Sequence, residues 1–206
     1  MKKILIVGGG SSSYVNLVKN AGFVELATSY EEADILMFTG GHDVSPELYG
    51  EKRHPNSMVN GLRDEQEVYM FNKAKADGKK FVGICRGGQF LNVMNGGRMF
   101  QHVNGHSGMH PMTTADGRTI NVTSTHHQMM RPAYDGKLLG YARESHKREF
   151  MKGERITTEY AKHKDPEVVF YPKTNSLCFQ PHPEFTCAGV DECREYFYEL
   201  LEDLLC

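Results

Sequence analysis

The chain has 206 residues, enough to bury one sizeable core, and a formal net charge of −2 with no run of five like charges. That balance argues against a nucleic-acid or membrane surface and leaves small molecules or another protein as partners. The cysteines (Cys85, Cys178, Cys187, Cys193, Cys206) form no CxxC pair, and the apolar run Ile4–Val7 is too short for a signal peptide, so a reducing cytoplasm is the expected compartment.

In chain order, Ile4–Val7 reads as a buried parallel strand that ends in Gly8-Gly9-Gly10, and Ser11–Ser13 offers a cap to a helix carrying Tyr14, Val15, Leu17 and Val18. The glycine loop lacks the third glycine of a dinucleotide fingerprint, so phosphate binding is not expected there. Phe23–Ala27 suggests a second strand, and Ala33–Thr39 a more deeply buried one running into Gly40-Gly41. A polar loop, 42–60, carries Pro46 and Pro55. Arg63–Ala76 is helical in composition and ends near Gly78.

Next comes Phe81–Gln89, FVGICRGGQ, in which an apolar strand meets a helix-like pattern at Gly83-Ile84-Cys85-Arg86-Gly87. A reactive residue flanked two positions away by glycine on both sides is the strand-to-helix turn of a nucleophile elbow, with Cys85 at its tip. The start of a helix also favours a thiolate there.

Beyond Asn95-Gly96-Gly97 the pattern changes. Met99–Val103, Thr119–Ser124 and Lys137–Arg143 read as short strands, so antiparallel strands should extend the sheet. Val168–Tyr171 and Ser176–Gln180 bracket a hairpin turn at Pro172–Asn175. An amphipathic helix from about Asp191 closes the chain, with an acidic face that reads as solvated surface. Neither repeats nor linkers interrupt the sequence, and one domain spanning 1–206 is the expectation.

A cysteine nucleophile needs a histidine, and that histidine needs an acceptor to orient it. The best candidate is His182 in Gln180-Pro181-His182-Pro183-Glu184, directly after a predicted strand, with Glu184 two residues on. His102, His106 and His110, spaced by fours in a glycine-rich loop, lack a ligand-grade pattern, and no metal is expected.

Four stretches together resemble a class I glutamine amidotransferase-like domain, most like its γ-glutamyl hydrolase branch, the peptidase family that includes γ-glutamyl-GABA hydrolases. They are Gly40-Gly41-x-Asp43-x-x-Pro46-x-x-Tyr49-Gly50, Arg63-Asp64-x-x-Glu67, Gly83-Ile84-Cys85-Arg86-Gly87-Gly88-Gln89-x-x-Asn92 and His182-Pro183-Glu184. The resemblance implies a flavodoxin-like, doubly wound α/β fold with a mainly parallel sheet, helices on both faces and some antiparallel edge strands. It implies that Cys85 attacks a γ-glutamyl amide to give a thioester, with His182 as acid and base and Glu184 orienting it. The backbone N–H groups of Gly41 and Arg86 become oxyanion donors, and Gln89, Gly40 and His126 (in Ser124-Thr125-His126-His127-Gln128) become substrate-side residues. Arg63, Asp64 and Glu67 read as a structural, salt-bridged collar around the 42–60 loop. Pro181 departs from the family, which usually has an aromatic residue before its HPE. The segments 102–117 and 146–164 match no motif.

Two enzymatic functions share this chemistry: a free-standing γ-glutamyl hydrolase without cofactor, and a glutaminase subunit delivering ammonia to a separate synthetase. A non-catalytic binding module on the same scaffold is the third reading, and a homodimer is compatible with each.

Overall fold

The structure, a computed structural model, describes residues 1–9, 11–160, 164–187 and 189–206. Gly10 of the first glycine loop and residues 161–163 of the charged 146–164 segment lie outside the described residues.

The apolar runs of the first half become β1 (Lys2–Val7), α1 (Ser12–Ala21), β2 (Val24–Leu26), β3 (Ile35–Phe38), α2 (Gly61–Ala76), β4 (Lys80–Ile84) and α3 (Arg86–Met94). The second half is rich in strands: β5 (Arg98–Phe100), β6 (His102–Val103), β7 (Ser107–Thr114), β8 (Thr119–Thr125), β9 (Met129–Arg131) and β10 (Lys137–Ala142). A hairpin of β11 (Arg148–Lys152) and β12 (Arg155–Glu159) occupies the segment that matched no motif. β13 (Asp165–Tyr171), β14 (Ser176–Phe179) and α4 (Asp191–Leu205) follow.

Nine strands form one sheet in the order β2-β1-β3-β4-β14-β13-β10-β7-β8. Neighbours from β2 to β14 run parallel, and those from β14 to β8 antiparallel. The order β2-β1-β3-β4 is flavodoxin-like, and such sheets bind ligands beyond the C-terminal ends of the parallel strands. Cys85 and the segment holding His182 both lie there, after β4 and β14.

Period-two alternation sorts the strand residues onto two faces. Ile35, Met37, Val82, Ile84, Leu177 and Phe179 face α1 and α4, where they meet Leu17, Val18, Phe197 and Leu201. Leu36, Phe38, Phe81 and Cys178 face α2 and α3, against Phe71, Ala74, Phe90 and Leu91. Both faces of the sheet are therefore covered, and the parallel strands read as nearly unbroken apolar runs.

Three local expectations differ from what forms. Ser11 occupies the N-cap position of α1 but its side chain makes no capping hydrogen bond. The second strand is confined to Val24–Leu26 behind a left-handed Gly22 at φ 78°. Met99–Val103 breaks at the buried Gln101, whose amide nitrogen donates to Glu51 Oε2 (3.1 Å) and Lys52 O (3.0 Å) while its oxygen accepts from His54 N–H (2.8 Å). There the chain changes partner, from β9 to β11. No helix among the described residues is long and apolar enough to cross a membrane.

Candidate active site

β4 enters α3 through Cys85, whose φ of 53° and ψ of −114° form a strained conformation for a residue with a side chain. The flanking glycines make the turn possible. A Cβ on Gly83 would stand 2.3 Å from the carbonyl group of Gly87, and one on Gly87 would stand 2.0 Å from the carbonyl oxygen of Phe38. Backbone bonds fix the tip: Cys85 N–H donates to Phe179 O (2.8 Å), and Gln89 N–H donates to Cys85 O (3.0 Å). The elbow read from the sequence is present.

His182 is held on every side. Its N–H donates to Thr123 Oγ1 (2.9 Å), its Nδ1 donates to Glu184 Oε1 (2.6 Å), and its Nε2 lies 2.9 Å from Thr125 Oγ1. The Phe185 ring stacks on its face, 4.4 Å between centroids and 7° from parallel. Burial opposes the imidazolium, but its neighbours Cys85 and Glu184 outweigh that and carry His182 up to about 10. Gly40 borders both nucleophile and imidazole. A Cβ there would lie 3.4 Å from His182 Cε1 and 3.7 Å from Cys85 Cβ.

Under the cleft sits the collar. Asp64 and Glu67 both pair with the guanidinium of Arg86, which is only 2% exposed, and Glu67 Oε1 accepts from Arg63 Nε (2.7 Å). Arg63 in turn donates to Gly40 O (2.8 Å) and Thr39 O (2.8 Å). Gly41, at φ 144°, must be glycine, because a Cβ would come within 2.2 Å of Arg63 Nη1. The structural role read for Arg63, Asp64 and Glu67 agrees with these contacts; the membership of the Arg86 side chain was not visible in the sequence.

A cleft of about 210 Å3 opens over Cys85, bounded by Gly41, Asp43, Arg86, Gln89, Thr125 and the 126–128 loop. Arg86 opens α3, so its N–H lacks an acceptor within the helix, and Gly41 N–H makes no hydrogen bond among the described residues. Both are free to serve an oxyanion. Gly40 is different: its N–H donates to Tyr14 Oη (3.0 Å) and its carbonyl accepts from Arg63 Nη1 (2.8 Å), so both of its backbone groups are already engaged. Gln89 commits its amide nitrogen to Gln180 Oε1 (3.1 Å) and Gln128 O (3.3 Å), leaving its oxygen.

His126 walls the cleft, but its Nδ1 donates to Gln128 O (2.8 Å) and its Nε2 faces Glu167. Burial holds it down to about 4, and a neutral imidazole is a poor partner for a carboxylate. Its neighbour His127 suits that task better. It is 37% exposed on the cleft, with Nε2 3.2 Å from Asp43 Oδ2, and that contact raises its pKa. Tyr14, Thr123, Thr125 and Phe185 also support the site, and no local pattern marked them. A larger groove of about 780 Å3 between Glu47–Lys52 and β11 contains no nucleophile. His102 stacks on His54 (5.7 Å, 10°) and stands apart from the His106–His110 pair.

The sequence profile of the Peptidase C26 family matches residues 11–146. The chain belongs to the Peptidase C26 family. With it comes membership of the class I glutamine amidotransferase-like superfamily. A glutamine amidotransferase-like protein of Lactococcus lactis, YvdE, is 44% identical over 71 residues, 33% of this chain and 29% of that protein. The chain spans less than half the length of the curated relatives it matches.

Two solved structures share the fold across nearly the whole chain. One is a glutamine amidotransferase from Thermotoga maritima, with TM-score 0.60, 13% identity, and coverage of 98% of this chain and 84% of that one. The other is a Thermoplasma acidophilum protein named for one subunit of a GMP synthase, with TM-score 0.61, 15% identity, and coverage of 98% and 93%. The profile match includes Cys85 but ends before His182 and Glu184. For this Peptidase C26 member, the placement of those two residues comes from the fold.

Proposed function

We propose that this Peptidase C26 chain is a cysteine hydrolase of γ-glutamyl amide bonds. One observation carries the reading: the strained Cys85 elbow, which opens into a polar cleft, and the Glu184-oriented His182 come together beside Gly40.

The Cys85 sulfur adds to the γ-carbonyl carbon, and the Gly41 and Arg86 N–H groups receive the oxyanion. Such donors each contribute about 10²–10³ in rate because they are aimed before charge develops. His182 gives its proton to the departing amine, the carbon–nitrogen bond breaks, and a γ-glutamyl thioester remains. Water then enters, His182 takes its proton, and glutamate leaves as the Cys85 thiolate and the His182 imidazolium are restored. Glu184 holds the imidazole through Nδ1, so Nε2 is the nitrogen that exchanges the proton. The γ-glutamyl end is held by the Gln89 oxygen and by His127, whose charge suits an α-carboxylate. His126 serves as a wall.

The likeness to a protein named for part of a synthase supports a second reading, in which the chain is a glutaminase that hands ammonia to a separate synthetase. Glutamate release by the purified chain alone separates the two. Turnover of one γ-glutamyl amine or peptide, with L-glutamine poor, is the expected result. Slow turnover of L-glutamine only would move the reading to the ammonia-delivering glutaminase, and no turnover of any γ-glutamyl amide would remove the free-standing hydrolase.

A further inference from the structure

Away from the nucleophile, His106, His110, His126 and Glu167 converge from the start of β7, the loop after β8, and β13, and every one of them is buried. Around Glu167 Oε1 stand His106 Nδ1 at 3.2 Å, His110 Nε2 at 3.5 Å and His126 Nε2 at 3.9 Å. These atoms make no hydrogen bonds among the described residues, nor does Glu167 Oε2.

His126 Nδ1 donates to Gln128 O (2.8 Å), which leaves its Nε2 as a lone pair pointed toward the Glu167 carboxylate. His106 lies between two carboxylates, with Nε2 3.2 Å from Asp165 Oδ2 and Nδ1 3.2 Å from Glu167 Oε1, so with no ion a protonated ring can bridge them. That proton leaves His126 Nε2 and Glu167 Oε2 without partners, and buried polar atoms left so are costly. A metal ion in its place satisfies His106, His126 and Glu167 together.

From this geometry we infer a divalent transition-metal site, best suited to Zn2+, with His106, His126 and Glu167 as ligands, the three whose donor atoms lie within 4.8 Å of one another. Bonds of about 2.0–2.1 Å in a tetrahedron require ligand atoms about 3.3–3.4 Å apart, and His106 Nδ1 and His126 Nε2 stand 3.2 and 3.9 Å from Glu167 Oε1. Imidazole-rich donor sets select zinc-like ions over Mg2+ or Ca2+. The outer contacts are those that orient metal-bound histidines: a carboxylate behind His106 and a backbone carbonyl behind His126. Asp165 is itself fixed, accepting from the N–H groups of Glu144 (2.8 Å) and Ser145 (2.8 Å). All three ligands are buried, so the ion is structural, and the fourth position falls to water or to His110 Nε2, which stands 3.5 Å from Glu167 Oε1. The ion ties the antiparallel half of the sheet to the 126–128 wall of the cleft. In sequence, His106 lacked a partner pattern because the other ligands lie far along the chain, and the expectation of no metal is the one this proposal replaces.

The test is titration of the full-length Cys85→Ala chain with Co2+ and then Zn2+, since that substitution removes binding at the thiol. The expected result is one ion per chain, with the intense visible bands of four-coordinate Co2+ and no thiolate-to-cobalt band, displaced by Zn2+. Glu167→Gln should weaken binding by more than about 100-fold, and Asp165→Asn by about 10–100-fold. If Glu167→Gln fails to fold, His126→Ala carries the same expectation, and the Co2+ spectrum of the unsubstituted site decides in either case. Absence of a four-coordinate spectrum at stoichiometric Co2+, or a spectrum unchanged by loss of a ligand, would overturn the assignment.

Discussion

Thr125 Oγ1 stands 2.9 Å from His182 Nε2, the nitrogen through which the proposed mechanism exchanges its proton. The imidazole is thus held from both ends, by Glu184 at Nδ1 and by Thr125 at Nε2, before substrate arrives. Net hydrogen-bond contributions of about 0.5–1.5 kcal/mol set the scale for losing one of them. Thr125→Val should lower kcat/KM by about 2- to 13-fold, and Thr125→Ser should restore it. Steady-state kinetics of the two variants would check this, and equal loss in both would contradict a positioning role for the hydroxyl.

The proton on His182 links activity and stability to pH. Held at about 10 in the fold, against about 6.5 when free, it contributes stability that is fully present below about pH 6.5 and is lost as pH rises through about 10. Urea midpoints measured at about pH 6 and about pH 10 should fall more for the wild type than for His182→Gln. The alkaline limb of kcat/KM should lie near the upper value. A limb near neutrality, or identical pH dependence in the variant, would contradict the ion-paired imidazolium.

Gly40 and Gly41 should respond differently to alanine. At Gly40 the added carbon meets the Tyr14 hydroxyl at 3.0 Å and His182 Cε1 at 3.4 Å, with no left-handed backbone to strain. Gly40→Ala should fold and lose most activity. At Gly41 the φ of 144° and the 2.2 Å approach to Arg63 Nη1 leave no room. Gly41→Ala should cost about 1–3 kcal/mol of stability as well as activity. Thermal melts and kinetics on the pair would test the contrast, which fails if Gly40→Ala is the less stable protein.

Glu67 faces the buried Arg86 and the partly buried Arg63. Removing its charge leaves both partly uncompensated, and breaking such a buried pair costs about 3–5 kcal/mol. Glu67→Gln should lower the urea midpoint accordingly and reduce activity through the released Thr39–Gly41 backbone. A midpoint within error of wild type would show that the collar carries no stability.

Much of this was legible in the sequence because the informative residues are contiguous. Gly83–Gly87 and His182–Glu184 each encode their geometry within five residues or fewer, and unbroken apolar runs mark β1, β3 and β4. Other features arise only when distant segments meet. The motif assigns a role only to the Arg86 backbone N–H, yet the side chain is buried between Asp64 and Glu67 of α2. Thr125 meets His182 across 57 positions, and His106 meets Asp165 across 59, separations at which no spacing rule operates. His126 and His127 are neighbours on the chain, but the fold turns one inward to Glu167 and the other outward to Asp43 and the cleft.

The most direct test of the central claim is labelling by a glutamine-like chloroketone, mapped over all five cysteines. Cys178 and Cys193 are buried, and burial pushes both thiols up, Cys193 to about 12, so neither competes as a thiolate. Cys187 and Cys206 are exposed but have no histidine–carboxylate pair beside them among the described residues. The account predicts one label, on Cys85, slowed by γ-glutamyl substrate and much reduced in His182→Gln. Labelling of Cys187 or Cys206 with Cys85 left unmodified would contradict it.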